Sequence, residues 1–434
     1  MLNPNSLRSS GALATLAFAL VFADVGAVAQ QLKVLHNFGQ GVDGAQPQAP
    51  LLRDAAGNLY GTTSLGGTHG GGIAFELSRS GANGAWTETI LYNFKSNILD
   101  AAYPSGGLVF DAMGNLYGTT SAGGAGGFGT VFELTPTIAG GWEEHIIYGF
   151  HGDTEGNSPS GSLVFDAAGN LYGTTVTGGS SGSGTIFELS PRAGDGWAET
   201  TIYNFGTGLK SGGYPQSGVI LDSAGNLYGT TEQGGAGIDG GDGAVFELGH
   251  SSEGWGEELL IGFGDSYQGD GPNPAGSNPS GALIFDAFGN LYGATILGGR
   301  GPCNPGLGCG TVFELAREPD GTWSETVLYA FDGKDGSGPS GSLTLDPAGN
   351  LYGATYANGS TSGCCGTVFR LSPATGGRWT ETILGDFYKN GRGPLFPNGG
   401  LIFDGSGNLY GTSLEGGIYG GSYPYGGTVF EITP

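Results

Sequence analysis

Histidine, a common general base and transition-metal ligand in proteins, is scarce in this sequence of 434 residues. Its five histidines have no familiar catalytic or metal-binding spacing and are His36, His69, His145, His151 and His250. No His-Glu-x-x-His motif, no serine nucleophile elbow between a strand and a helix, and no Walker-type loop with lysine occurs. The sequence therefore does not indicate a zinc protease, an α/β-hydrolase or a P-loop nucleotide-binding protein.

Carboxylates are abundant, with 39 Asp and Glu against 14 Lys and Arg, a net charge of -25. Such a field repels phosphate backbones and anionic headgroups, so we expect no nucleic-acid partner and no binding to membrane surfaces. About half of the acids recur at fixed intervals, and we expect them to be capped turns or exposed strand charges. These are a turn aspartate (54, 111, 166, 222, 286, 346, 404), a strand glutamate (76, 133, 188, 247, 314, 431) and a glutamate two residues after each tryptophan (88, 144, 199, 257, 325, 381).

Three acids outside these positions lie close together in one loop. Glu232, Asp239 and Asp242 fall within eleven residues and could supply oxygen ligands for a weak calcium site, with help from backbone carbonyls. The spacing of regular calcium loops is absent. A solvated acidic loop is therefore the alternative, and no other cofactor is indicated.

The four cysteines are Cys303, Cys309, Cys364 and Cys365. Cys303 and Cys309 would close a small loop and form the first expected disulfide, which leaves Cys364 and Cys365 as a strained vicinal pair or as two free thiols. A zinc site built from all four thiolates is the alternative. It is disfavoured because adjacent cysteines are poor tetrahedral ligands and no Cys-x-x-Cys pair exists.

The secondary-structure elements that carry these residues can be predicted from a sequence repeat. Gly-Asn-Leu-Tyr-Gly occurs seven times at spacings of 55 to 64 residues. Each repeat contains four short β-like runs, which we call strands a to d, as in Leu108 to Asp111, Leu116 to Thr120, Thr130 to Leu134 and Trp142 to Phe150. This pattern explains how a chain with 93 Gly and 21 Pro can fold, since aromatic residues still make up 11%.

The repeats predict an all-β fold, a seven-bladed β-propeller with four antiparallel strands per blade. The last repeat stops after strand c, whereas Gln31 to Phe38 matches the end of strand d and precedes the first strand a. We therefore expect this N-terminal strand to join the C-terminal blade and close the ring. An open β-solenoid is the alternative, although it would not need a permuted first strand.

Tyrosines outside the repeat positions fall on one side of such a propeller, in the d-to-a and b-to-c loops. Rings beside carboxylates suit carbohydrate or protein ligands, and three of them lie in the segment GGIYGGSYPYGG. We predict a ligand-binding surface centred on this segment; the alternative is that its rings plug the channel mouth. The eight tyrosines are Tyr103, Tyr214, Tyr267, Tyr356, Tyr388, Tyr419, Tyr423 and Tyr425.

The combination Asp-x-x-Gly-Asn-Leu-Tyr-Gly-Thr-Thr, a Gly-Gly loop and Gly-Thr-Val-Phe-Glu-Leu resembles the choice-of-anchor GloVer-type tandem-repeat proteins of bacteria. In outline the strand order also resembles a kelch blade. The resemblance implies an exported repeat protein, often with a C-terminal anchor segment, and implies no particular activity. Since the sequence ends at Pro434 inside the last repeat, we expect no such anchor.

Residues 1 to 29 have the features of a signal peptide. Arg8 precedes an apolar run from about Ala12 to Ala23, and Ala27-Val28-Ala29 is a small-x-small cleavage site. We expect cleavage after Ala29, a propeller domain over residues 30–434, and a secreted monomer, extracellular or periplasmic, without membrane insertion. An uncleaved anchor is the alternative.

Two function classes fit these observations. The first is a non-catalytic binding or interaction scaffold that presents its aromatic, acidic loop face to a glycan or a protein. The second is a glycan-active lyase or hydrolase that uses two carboxylates or a Tyr-His pair on the same face, where His69 and His151 lie. Catalysis requires groups that sister blades lack, and the candidates are scattered, so binding is favoured.

Overall fold

The protein is described by a computed structural model. It describes residues 31–80, 84–97, 100–194, 196–206, 211–235, 241–252, 254–264, 273–299, 301–303, 307–357, 365–387, 393–419 and 426–433.

The described residues form 34 β-strands, which we number in chain order. β1 (Gln31–Asn37) comes first. Blade 1 contains β2 (Gly44–Ala45), β3 (Leu52–Arg53), β4 (Leu59–Thr63), β5 (Leu65–Gly66), β6 (Gly70–Ser80) and β7 (Ala85–Lys95). Blade 2 contains β8 (Ala101–Pro104), β9 (Val109–Phe110), β10 (Leu116–Gly123), β11 (Thr130–Pro136) and β12 (Trp142–Gly149). Blade 3 contains β13 (Asn157–Phe165), β14 (Leu171–Thr177), β15 (Thr185–Arg192) and β16 (Gly196–Asn204).

The remaining strands follow the same order. Blade 4 contains β17 (Gly212–Gly213), β18 (Ile220–Leu221), β19 (Leu227–Thr231), β20 (Gln233–Gly234), β21 (Ala244–Ser251) and β22 (Gly254–Gly262). Blade 5 contains β23 (Ser277–Phe285), β24 (Leu291–Leu297), β25 (Thr311–Arg317) and β26 (Trp323–Ala330). Blade 6 contains β27 (Ser337–Leu345), β28 (Leu351–Ala357), β29 (Thr367–Pro373) and β30 (Trp379–Asp386). Blade 7 contains β31 (Pro394–Pro397), β32 (Ile402–Phe403), β33 (Leu409–Gly416) and β34 (Thr428–Thr433).

These strands build seven blades of four antiparallel strands arranged as a propeller, as the sequence predicts. Strand a is longer than the sequence motif indicates: in blades 3, 5 and 6 it runs over nine residues, and in the other blades it is split in two. No helix long and apolar enough to cross a membrane occurs in the described part of the chain.

The Leu-Tyr-Gly motif is explained by packing inside each blade. In blade 2, a Cβ atom added to Gly118 would lie 2.6 Å from the ring of Phe132 on the neighbouring strand. Only glycine leaves room for that ring, which is fully buried.

Blades pack on one another through paired phenylalanines. The last phenylalanine of each strand d contacts the strand-c phenylalanine of the next blade, as Phe94 does with Phe132 at a ring distance of 4.9 Å. The same pair recurs between blades 7 and 1, where the rings of Phe38 and Phe75 are 5.0 Å apart.

The N-terminal strand takes the place of strand d in blade 7. β1 pairs antiparallel with β34, with Gln31 opposite Thr433 and Asn37 opposite Thr428. The backbone nitrogen of Phe38 also donates a hydrogen bond to the carbonyl of Gly427 at 2.9 Å. This is the pairing that the predicted ring closure requires.

Candidate functional site

A cavity of about 550 Å³ occupies the channel at the centre of the seven blades. Each blade contributes the short segment that follows a proline in strand a, and these segments are rich in Ser, Gly, Gln and Asn. Several of the serine hydroxyls hold the blades together, because Ser105 donates to the carbonyl of Pro159 at 2.8 Å and Ser280 to that of Pro339 at 3.1 Å. The wall is therefore polar and built mostly from small residues.

The residue before each of these prolines has an unusual backbone. All seven have φ between 54° and 63°, and six of the seven are not glycine. Pre-proline residues ordinarily favour extended conformations. Here a hydrogen bond to the preceding blade holds the left-handed conformation. At Tyr214, for example, the backbone nitrogen donates to the carbonyl of Ser183 at 2.7 Å. We call these positions the pre-proline ring: Gln46, Tyr103, Ser158, Tyr214, Asn278, Gly338 and Phe396.

A second set of variable residues comes directly after the five-residue Leu-Tyr-Gly stretch that begins each strand b, at the same end of the channel. We call it the strand-b ring: Ser64, Ser121, Val176, Glu232, Ile296, Tyr356 and Leu414. Four of its members, Ser121, Val176, Glu232 and Ile296, line the cavity, as do Ser158 and Asn278 of the pre-proline ring. We call the two rings together the channel mouth, on the side of the d-to-a and b-to-c loops; six of their fourteen residues line the cavity.

The channel mouth contains one aromatic contact and one polar contact. The rings of Tyr356 and Phe396 stack at 5.0 Å with an interplanar angle of 25°, and Tyr356 is 40% exposed. Gln216 donates to the Glu232 carboxylate at 2.7 Å. The Oδ1 atom of Asn278 is buried and accepts no hydrogen bond from any described residue.

The structure places three of the eight predicted tyrosines in these rings. Tyr103 and Tyr214 belong to the pre-proline ring and Tyr356 to the strand-b ring. Tyr103 reaches towards the preceding connection, where its hydroxyl lies 2.9 Å from that of Ser96. Tyr419 lies elsewhere, with its hydroxyl donating to Gln40 at 2.7 Å. Four positions fall outside the described residues: Tyr267, Tyr388, Tyr423 and Tyr425.

The residues of the predicted calcium loop are only partly described. Glu232 belongs to the strand-b ring and its carboxylate accepts from Gln216, whereas Asp242 is buried just before strand c, which begins at Ala244. Asp239 lies outside the described residues. The calcium site stays a prediction.

Cys303 and Cys309 form the expected disulfide. Cys365 is also disulfide-bonded and is buried, which excludes a free thiol at that position. Cys364 lies outside the described residues.

The glutamates two residues after each tryptophan are not the exposed strand charges that the sequence indicates. They lie between neighbouring blades, and burial raises the pKa of Glu325 to about 7. Burial and then Asp100 raise the pKa of Glu144 to about 7, and burial and then Asp335 do the same for Glu381. The prediction failed because the repeat shows which residues recur but not what the next blade places against them.

At three of these junctions a strand-d tyrosine hydrogen-bonds an acid of the following connection. Tyr148 donates to Glu155 at 2.7 Å beside Glu199. Tyr92 donates to Asp100 beside Glu144, and Tyr329 to Asp335 beside Glu381.

The junction between β1 and blade 1 departs from this pattern, because a histidine replaces the tyrosine. The Nε2 atom of His36 lies 3.2 Å from Oδ2 of Asp43 and 3.8 Å from Oε1 of Glu88. Burial, and then Asp43, raises the pKa of Glu88. Beside these three side chains lies a second cavity of about 420 Å³, which Gln40 and Tyr419 also line. The one signal in the sequence was His36 at a position where four of the six sister blades carry tyrosine.

Comparison with solved structures finds other proteins of low identity. A luciferin-regenerating enzyme is 16% identical, with a TM-score of 0.43, over 76% of this chain and 91% of that one. A candidate 6-phosphogluconolactonase from Bacteroides uniformis is 13% identical, with a TM-score of 0.49, over 82% of this chain and 95% of that one.

No curated protein matches this sequence. A family model described as the Gloeobacter/Verrucomicrobia repeat matches three overlapping stretches, residues 21–153, 137–302 and 266–434. These stretches cover every blade of the propeller, and the chain therefore belongs to the Gloeobacter/Verrucomicrobia repeat family.

Proposed function

We propose that this protein is a carbohydrate-binding scaffold that takes its ligand at the channel mouth. The observation that carries the proposal is the pre-proline ring. A left-handed backbone costs a residue other than glycine about 1 to 2 kcal/mol. The chain has 93 glycines, yet it keeps larger side chains at six of these seven positions. Two of those side chains, Ser158 and Asn278, line the cavity, and a role there explains why glycine has not replaced them.

The chemistry of the mouth suits a sugar. The stacked and partly exposed Tyr356 offers an aromatic face for the apolar side of a pyranose ring. On the cavity wall, the side chains of Gln216 and Glu232 can exchange hydrogen bonds with hydroxyl groups. The cavity of about 550 Å³ is within the range of about 300 to 1,000 Å³ typical of small-molecule sites.

Charge narrows the ligand class. The net charge of -25 and the carboxylate of Glu232 disfavour polyanionic glycans. We therefore favour neutral or amino sugars. Binding is preferred to hydrolysis because Glu232 is the one carboxylate among the described residues that line the cavity, whereas glycoside hydrolysis ordinarily uses two.

We also propose that the protein works outside the cytoplasm. The disulfide between Cys303 and Cys309 supports an oxidising compartment, and the features of residues 1–29 support export.

The experiment is a glycan-array screen of residues 30–434, followed by calorimetric titration of the best ligand. Asn278→Gly removes a side chain of the pre-proline ring that lines the cavity and also relieves its backbone strain. We expect it to weaken binding about tenfold or more, as loss of a stacking or hydrogen-bonding contact does, while the melting temperature stays unchanged or rises. Tyr356→Ala should weaken binding similarly.

Phe288→Ala is the matched control, since Phe288 is 90% exposed in an a-to-b turn on the opposite side. It should leave affinity unchanged. An array without a carbohydrate ligand, or full affinity in both mouth variants, would contradict the proposal.

A further inference from the structure

We propose that His36, Asp43 and Glu88 form a binding site for one divalent transition-metal ion of the Zn²⁺ class. The site lies at the junction between β1 and blade 1, separate from the channel mouth. It is independent of the proposed carbohydrate binding.

The geometry of the three side chains fits such an ion. One nitrogen and two carboxylate oxygens, one from each residue, lie within 4.8 Å of one another. Zinc binds such atoms at about 2.0 to 2.2 Å in a tetrahedron, so its ligand atoms stand roughly 3.3 to 3.6 Å apart. The separations from His36 Nε2 are 3.2 Å to Asp43 and 3.8 Å to Glu88, which bracket that range.

A second observation points to a missing ligand. The Oε1 atom of Glu88 is buried and accepts no hydrogen bond from any described residue, as is also true of Oε1 in Glu144, Glu325 and Glu381. Among these four described glutamates, Glu88 is the one whose Oε1 faces an imidazole, at 3.8 Å from His36 Nε2. A buried carboxylate oxygen without a donor is costly, and a cation at this position would satisfy it.

The composition of the site distinguishes it from the sister junctions. Where Tyr148 stands in blade 2, its hydroxyl donates to Glu155, and that junction offers only oxygen atoms. His36 supplies a nitrogen ligand, and an imidazole with two carboxylates favours zinc and neighbouring transition metals over calcium or magnesium.

Three protein ligands leave a coordination position open. The cavity of about 420 Å³ beside the cluster gives water access to that position, and Tyr419 and Gln40 stand at its wall. Because the ligands come from β1, from the connection after it and from β7, a bound ion would tie the N-terminal strand to blade 1.

The test uses the full-length chain, purified without a histidine tag and stripped with a chelator. Titration with Zn²⁺ should show one site per chain by calorimetry and by elemental analysis. Since the ion binds only the folded state, saturating Zn²⁺ should raise the melting temperature by about 3 to 5 °C.

His36→Tyr is the sharpest variant, because it installs the sister-blade residue, which can hydrogen-bond Asp43 as Tyr148 does Glu155. It should fold and lose stoichiometric zinc binding, with affinity at least tenfold weaker. Glu88→Gln should do the same, and it decides the question if His36→Tyr does not fold. His145→Tyr, an exposed histidine on β12, is the matched control and should bind one ion.

Stoichiometric zinc binding that survives both His36→Tyr and Glu88→Gln would overturn the proposal. So would an unchanged melting temperature with no heat of binding, or a response to Ca²⁺ but not to Zn²⁺.

Discussion

At the scale of single residues, one aspartate holds each turn between strands a and b. In blade 3, Oδ1 of Asp166 accepts from the backbone nitrogens of Ala168 and Asn170, both at 2.8 Å. Its Oδ2 accepts from the side chains of Asn170 and Tyr172. These hydrogen bonds lower the pKa of Asp166, although burial opposes them.

We expect Asp166→Ala to lower the free energy of unfolding by about 1 to 3 kcal/mol, because it removes charge-assisted hydrogen bonds. Chemical denaturation measures the change. Asp320→Ala, in an exposed turn after strand c, is the control and should have little effect. Equal losses of unfolding free energy in the two variants would show that the Asp166 hydrogen bonds stabilise the fold no more than those of an exposed turn.

The glutamates between blades predict an unusual pH dependence. Glu144, Glu325 and Glu381 have pKa values of about 7 in the folded protein, above the ordinary value of 4.5. The folded state therefore binds protons more tightly than the unfolded state between pH 4.5 and 7, and stability falls as pH rises through that window. The melting temperature should be several degrees higher at pH 5 than at pH 8.

Glu325→Gln isolates one of these groups, since burial alone raises its pKa. The variant should match the unsubstituted protein at pH 5 and exceed it in melting temperature at pH 8. Below pH 4 stability should fall for another reason, because the turn aspartates with lowered pKa values become protonated. A melting temperature that rises steadily from pH 5 to pH 8 would contradict this account.

The sequence predicts a residue's role correctly when its contacts lie within a few positions along the chain. The role of Asp166 follows from residues four and six positions away, which the repeat displays. The surroundings of Glu88 do not follow, because His36 and Asp43 come from a strand and a connection about fifty residues earlier in the chain. Only the register between blades brings them together.

At the scale of elements, β1 is the strand whose contribution can be tested most directly. It pairs with β34 along its length, and Phe38 after it is fully buried against Phe75. Deleting residues 30–38 from the mature chain would expose one edge of blade 7 and open a cavity at Phe38. We expect a fall in melting temperature of several degrees, or loss of folding.

The matched control is the chain that begins at residue 30, which lacks only the expected signal peptide. Calorimetric melting curves of the two chains should differ clearly. Superimposable curves would mean that β1 contributes nothing to the stability of the ring.

The strand pattern was predictable from the sequence, but the backbone at the start of strand a was not. The Asp-x-x-Gly-Asn turns and alternating strands correctly indicate four strands per blade. The left-handed residues before the prolines, such as Tyr214 and Phe396, contradict the local preference of pre-proline residues. Hydrogen bonds from the preceding blade impose them, so a local pattern could not have revealed the channel mouth.

At the scale of the whole molecule, seven copies of one motif fix the number of blades and the direction in which the loops face. The tyrosines nevertheless divide between two places that sequence position alone does not separate. Tyr356 lies at the channel mouth against Phe396, whereas Tyr419 lies beside the cavity at the junction of β1 and blade 1. The predicted centre at Tyr419, Tyr423 and Tyr425 is described only at its first residue.

Because Gln31 pairs with Thr433, the chain could begin at a different loop and still pair the same strands. The gap between these residues corresponds to the segment Pro136–Trp142, which contains the c-to-d turn and joins Thr135 to Glu143 in blade 2. A circular permutant that joins Thr433 to Gln31 through about five Gly and Ser residues, and opens at Thr137–Gly141, should keep the fold with a melting temperature within a few degrees.

Opening instead at the turn held by Asp166 should destabilise the protein more, because that cut breaks the contacts between Asp166, Asn170 and Tyr172. Calorimetry on the two permutants compares them, and equal stability would show that the two kinds of turn matter alike.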